Sequence, residues 1–165
     1  TELNLIDGYT GTTTELNYND VTTLGTVQTS KTVTASAAGV VNHADYVVQR
    51  PEFKDYGETV NAIGATGGGT QDIDFSLANV VKAKVNVSGI YATTFTFSNV
   101  PSTGVSSLTL ILTNGGSQTV IWPASVTWGG GTAPTLTAVG TDVLTFITTD
   151  GGATFYGMTG GLNFS

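Results

Sequence analysis

The sequence predicts an all-β fold: a C-terminal β-sandwich or jelly-roll-like domain preceded by an extended, oligomer-forming N-terminal arm. Three observations carry that expectation. From Gln71 onward, apolar and polar residues alternate with the period of a strand. Gly-rich turns punctuate these runs, as they do in sandwiches and barrels. At the start, Thr1-Glu2-Leu3-Asn4-Leu5-Ile6-Asp7-Gly8 and Thr14-Glu15-Leu16-Asn17-Tyr18-Asn19-Asp20 repeat one short unit, with Glu2 and Glu15 in equivalent places. A unit that short cannot enclose a core, so it must stack along an axis or pack against copies in other chains. The chain divides accordingly into a repeat arm (1–45), a connector (46–70) and a β-sandwich domain (71–165).

Each element has its own local reason. In the arm, Thr12-Thr13-Thr14-Glu15 has capping-box spacing, with Thr12 as N-cap and Glu15 reaching back. Gly11 before it and β-branched residues after it limit the helix to about a turn. Thr32-Val33-Thr34 is a short strand candidate, closed by Ala37-Ala38-Gly39. Leu3, Leu5, Ile6, Leu16 and Tyr18 are hard to bury within one chain, and packing around a symmetry axis solves that. In the connector, Tyr46-Val47-Val48 reads as a strand stopped at Arg50-Pro51, because proline lacks the ladder donor. Phe53, Tyr56 and Val60 permit a helical turn or two, interrupted at Gly57. Gly64-Ala65-Thr66-Gly67-Gly68-Gly69 reads as a flexible joint.

In the domain, Ile73, Phe75 and Leu77 alternate with Asp72, Asp74 and Ser76. Phe95 and Phe97 alternate with Thr94, Thr96 and Ser98, and Leu108, Leu110 and Leu112 do the same among Ser107, Thr109 and Ile111. Asn114-Gly115-Gly116 reads as a hairpin turn into Thr119-Val120-Ile121-Trp122. A second hairpin joins Asp142–Thr148 to Ala153–Gly157 through Asp150-Gly151-Gly152.

Composition bounds the partners. Of the 165 residues, 39% are hydrophobic but only 10% charged, well below the usual quarter. Thr, Ser, Asn and Gly fill the polar positions, and burying neutral groups against another chain costs less than burying charge. No charged residue occurs between Lys84 and Asp142, so much of the domain's outer face is expected to be covered. The net charge of −7 argues against a nucleic-acid ligand and against anionic membranes. No apolar run is long enough to insert in a bilayer. There are no cysteines, which suits a large assembly better than a disulfide-stapled secreted domain. A start at Thr1 rather than Met is expected of a processed or partial chain.

Candidate sites are few. Trp122 and Trp128 flank Pro123-Ala124-Ser125, and exposed indole faces can stack on sugars or partner side chains; the simpler expectation is packing in the sandwich or at a subunit interface. Tyr156 joins them as a candidate receptor or subunit contact. Asp72 and Asp74 share a strand face, as a Ca²⁺ site or acid/base pair would require, but guarding an edge strand explains them better. Lys82 and Lys84 could pair with them across a hairpin. His43, the only histidine, sits beside Asn42 and Asp45. With no Cys and no nucleophile elbow, a surface or interface role is expected of it. Gly64–Thr70 superficially resembles a phosphate loop but lacks the Gly-Lys-Ser/Thr ending. No cofactor, metal or catalytic residue is expected.

These residues also carry a family resemblance. The Glu-Leu-Asn repeats resemble the linker repeats of tailed-bacteriophage tail fibres. Arg50-Pro51-Glu52-Phe53-Lys54-Asp55-Tyr56-Gly57-Glu58 resembles a connector of phage virion proteins. Phe95–Asn99, Leu112–Gly116, Trp122–Trp128, Asp142–Phe146 and the ending from Thr149 through Tyr156 to Phe164 resemble the C-terminal domain of such fibres. The resemblance implies a non-enzymatic virion structural protein, usually a homotrimer, that contacts other virion proteins of tail or capsid. The leading expectation is the distal segment of a trimeric tail fibre used in host adsorption, with loops 99–105 and 128–134 touching a host glycan or protein. The alternative is a capsid decoration or head-fibre protein bound through its N-terminal arm. A glycan depolymerase is a weaker third, since it would need paired carboxylates in an aromatic groove and only Asp72/Asp74 and the distant Asp142/Asp150 are available.

Overall fold

A computed structural model describes residues 10–24, 26–29, 31–39, 41, 43, 48–49, 51–52, 54–66, 68–85 and 91–165. The chain falls into two compact units, Thr1–Asp55 and Tyr56–Ser165.

In the first unit the capping box forms as the spacing predicts. The helix α1 spans Thr13–Asn17; Thr12 Oγ1 accepts from Glu15 N at 3.2 Å, and Thr12 N donates to Glu15 Oε2 at 2.6 Å. That backbone donor, with the Thr12 hydroxyl, holds the Glu15 carboxyl below its ordinary range. Thr32-Val33-Thr34 is not a strand. Its polar groups go to the end of α1 instead: Thr32 N donates to Tyr18 O at 2.7 Å, and Thr32 Oγ1 to Asn19 Oδ1 at 2.8 Å. Lys31 Nζ caps the Asn17 carbonyl at 2.5 Å, as a cation at a helix C-terminus should. The first Glu-Leu-Asn copy and most of the Tyr46–Val48 strand candidate lie outside the described residues.

Among its described residues the second unit has nine strands: β1 (Val60–Thr66), β2 (Gly69–Asp74), β3 (Val80–Val85), β4 (Ala92–Ser98), β5 (Ser106–Thr113), β6 (Thr119–Ile121), β7 (Val126–Trp128), β8 (Thr141–Thr148) and β9 (Phe155–Phe164). One sheet has the order β1-β3-β5-β8-β9-β7 and the other β2-β4-β6. The β-rich expectation holds, but the pairing differs from the antiparallel pattern of a jelly roll. Strands β1, β3 and β5 are parallel in one sheet, and β2, β4 and β6 are parallel in the other. The chain therefore alternates between two sheets, coil upon coil. It ends in an antiparallel run, β5-β8-β9, with β7 parallel on the far edge.

One core cluster draws side chains from both sheets. Ile73, Phe75 and Phe95 come from the β2–β4 side; Val81, Ala83, Val85, Leu108, Leu110, Leu112, Leu144, Phe146 and Phe155 come from the larger sheet. Strand alternation explains the set, because every second residue of β3, β5 and β8 is buried.

Three local expectations are corrected. Residues 54–63 contain no helix; Asp55 takes the left-handed conformation, and Val60–Ile63 are drawn into the parallel ladder with β3. The described residues of 64–69 belong to strands and an intersheet turn, not to a flexible joint. Gly64 sits inside β1 at a bulge after Ala62, and Gly69 opens β2. Between them Gly68, at φ +96°, lets the chain turn from one sheet to the other: a Cβ there would lie 2.6 Å from Tyr91 Cβ. Asn114-Gly115-Gly116 does not close a hairpin either. Asn114 adopts positive φ and a 3₁₀ turn over Gly115–Ser117 sends the chain across to β6 in the other sheet, while β5 pairs with β8. Glycine is needed at 116 for backbone approach, since a Cβ would sit 2.0 Å from the Leu136 carbonyl oxygen. The second hairpin, β8–β9, forms as read, with Gly151 and Gly152 at positive φ.

Candidate functional site

Trp122 and Trp128 are brought together. Their ring centroids are 5.4 Å apart in an edge-to-face pair. Trp122 stacks on Phe95 at 5.3 Å with an interplanar angle of 18°, and both indoles contact Phe146. The row continues through Phe97 to Phe75 and Phe155. Both Trp residues thus take the packing role that strand-end indoles commonly fill.

Trp128 does more than pack. It ends β7 on the sheet edge, level with Gly157 of β9. Only glycine fits at 157, because a Cβ would come within 2.8 Å of Trp128 Cε3 and Cζ3. After Trp128 the chain turns through Gly129–Gly131, with Gly130 and Gly131 at positive φ. The turn leaves a cleft of about 240 Å³ lined by Trp128, Gly129, Thr132, Pro134, Gly157 and Thr159. No lining residue is ionisable. The cleft offers one indole flank, two exposed hydroxyls and a glycine-rich wall, which suits a neutral ligand with an apolar face and hydroxyl groups.

Tyr156 is not part of this cleft. Strand alternation places it on the opposite face of β9, level with Ile147 of β8 and 53% exposed. Loop 99–105 is also apart from it. Its Ser102 and Val100 approach Gly151 and Gly152 at the β8–β9 turn.

The charged candidates separate. Asp72 and Asp74 lie on the outer face of β2, and Lys82 and Lys84 on β3 in the other sheet, so the expected cross-hairpin pairs do not form. Asp72 instead accepts from Thr96 Oγ1 at 2.7 Å and from Ser98 Oγ. Asp74 accepts from Ser76 N at 2.8 Å, Ser76 Oγ at 2.6 Å and Asn99 Nδ2 at 2.8 Å. The Ser76 hydroxyl and amide hold its carboxyl below the ordinary aspartate range. His43 is exposed in the first unit. Among the described residues no three His, Asp or Glu side chains gather in a metal-binding group.

Asp142, from the sequence only a distant carboxylate, is structural. Asp142 is fully buried. It accepts from Thr137 N at 2.7 Å, Thr137 Oγ1 at 2.6 Å and Asn163 N at 3.0 Å, tying the 132–140 segment to β8 and the end of β9. Its position inside an apolar alternation, Asp142-Val143-Leu144, was the available signal: a carboxylate on the buried phase of a strand needs donors.

No family model matches the chain, and neither the curated proteins nor the solved structures contain a significant match to it.

Proposed function

We propose that the chain is a non-enzymatic bacteriophage virion structural protein, the distal segment of a trimeric tail fibre used in host adsorption. In this reading residues 1–45 form the extended arm that gathers three copies around an axis. The two sheets act as the layers of a sandwich that displays its clefts outward. The resemblance of the repeats and C-terminal motifs supports the reading, and one structural observation carries it: the uncharged cleft beside Trp128.

Adsorption needs no bond-making, only a shaped surface and repetition. A neutral pyranose would lay its C–H face on the Trp128 indole and direct hydroxyls to Thr132 and Thr159. One such contact is weak. Three on a common axis raise avidity by a factor of about 10² or more when the spacing permits simultaneous engagement.

The test is binding of the full chain to a panel of neutral bacterial surface polysaccharides. The reading expects measurable binding that falls at least tenfold on Trp128→Ala. Thr132→Trp, which fills the cleft while leaving the aromatic row intact, should do the same. Binding unchanged in Thr132→Trp, or absent across the panel, would overturn the adsorption role of this cleft.

A further inference from the structure

We propose that the β-unit docks head to tail on a second copy of this chain. The Lys82/Lys84 face of the six-stranded sheet in one copy would meet the Asp72/Asp74 face of the three-stranded sheet in the next. The inference deepens the assembly reading above and rests on it.

The two faces are complementary in sign and spacing. Lys82 and Lys84 are the only cations in residues 56–165. Among the described residues neither side-chain ammonium has a hydrogen-bond or ion-pair partner. They project from the outer face of β3, and register puts Ala62 and Ile111 beside Lys82, and Ala65 and Thr113 beside Lys84. The bulge at Gly64 removes a side chain from β1 there, and a groove of about 240 Å³ runs between the lysines and these neighbours.

Across the core, the outer face of the smaller sheet carries Asp72 and Asp74 among Thr70, Thr94, Thr96 and Ser98. Both charged pairs are two residues apart on a strand, about 6.6 Å at 3.3 Å per residue. The carboxylates are held still by their hydroxyl and amide donors and keep lone pairs free for a further partner.

Sign decides the geometry of association. Packing like face on like face sets lysine against lysine or aspartate against aspartate. Only the head-to-tail contact matches both. Solvated ion pairs contribute little affinity, so the charges set register. Burial of Val60, Val80, Ala62 and Ile111 supplies the attraction. Parallel sheets are rarely left open on a face, and here Val60 is 53% exposed. A heterologous contact closes into a ring when the rotation allows and otherwise grows into a filament.

The experiment is native mass spectrometry of the full chain, with circular dichroism to check folding. Variants Lys82→Glu/Lys84→Glu and Asp72→Lys/Asp74→Lys should each lose association at least tenfold. Mixed in equal amounts they should associate again in 1:1 stoichiometry, because each supplies the face the other lacks. If the second variant fails to fold, Asp72→Asn/Asp74→Asn removes the charge with a near-isosteric side chain that keeps one acceptor oxygen at each position, and should still weaken association, with a reduced salt dependence. Wild-type oligomers unaffected by either charge reversal would overturn this docking while leaving assembly intact. A wild-type chain that never associates would overturn both.

Discussion

At the scale of single residues, glycine and a buried carboxylate set the site. Gly157→Ala would push a methyl into the Trp128 ring, so the β-unit should lose about 2 kcal/mol in urea unfolding, the usual cost of overpacking. Asp142→Ala leaves the Thr137 and Asn163 amide donors without their acceptor, and should cost about 3 kcal/mol; Asp142→Asn, which keeps one carbonyl oxygen, should cost less. Asp150 gives a pH prediction. Its carboxyl is held below the ordinary range by the Thr154 amide and then by the Thr148 hydroxyl. A depressed folded value means the stabilisation is present above the unfolded pKa and is lost as pH falls through the folded one. Thermal midpoints should therefore be level above about pH 5, where an unperturbed aspartate of pKa near 3.9 is ionised, and decline in the acid range. Asp150→Asn should flatten part of that decline. An acid profile identical in the variant would remove Asp150 from the explanation. Packing of the tryptophans, in the sandwich or at an interface, was legible from their strand-end positions; their contact with each other was not. The cleft was not, because it depends on Gly157, which is remote in sequence and becomes Trp128's neighbour only through parallel pairing.

At the scale of elements, what could be read was local and what could not be read was pairing. The Thr12–Glu15 spacing specified a capped turn because all its partners lie within four residues. Protonating Glu15 should loosen that turn, so the Thr12 amide resonance should titrate below the usual glutamate range; an inflection at the ordinary value would contradict the hydrogen-bonded cap. Leu108, Leu110 and Leu112 alternate just as they would in an antiparallel strand, so the pattern fixed which face is buried and not which neighbour it has. Hence the pattern marks β5 and β8 as strands, yet points to a hairpin where the chain in fact steps from β5 to β6 in the other sheet. Val60, Val80 and Thr109 stand in register although they are unequally spaced in sequence, so no period announced the coils. The glycines at 64 and 68 looked like a linker by composition. They serve a bulge and an intersheet turn, roles that depend on Ala62 and Tyr91.

At the scale of the whole molecule, low charge and an alternating two-sheet coil point the same way. Residues 56–165 show water two broad, nearly neutral sheet faces, one with a lysine pair and one with an aspartate pair. Exposed Tyr156, Met158 and Phe164 lie along β9 of the larger sheet. On the proposed reading this chain works as an assembly. Light scattering behind size exclusion, on the full chain at micromolar concentration, tests it most directly. A trimer gives a species of about three times the 16.9 kDa chain mass. A single monodisperse peak at 16.9 kDa would contradict it.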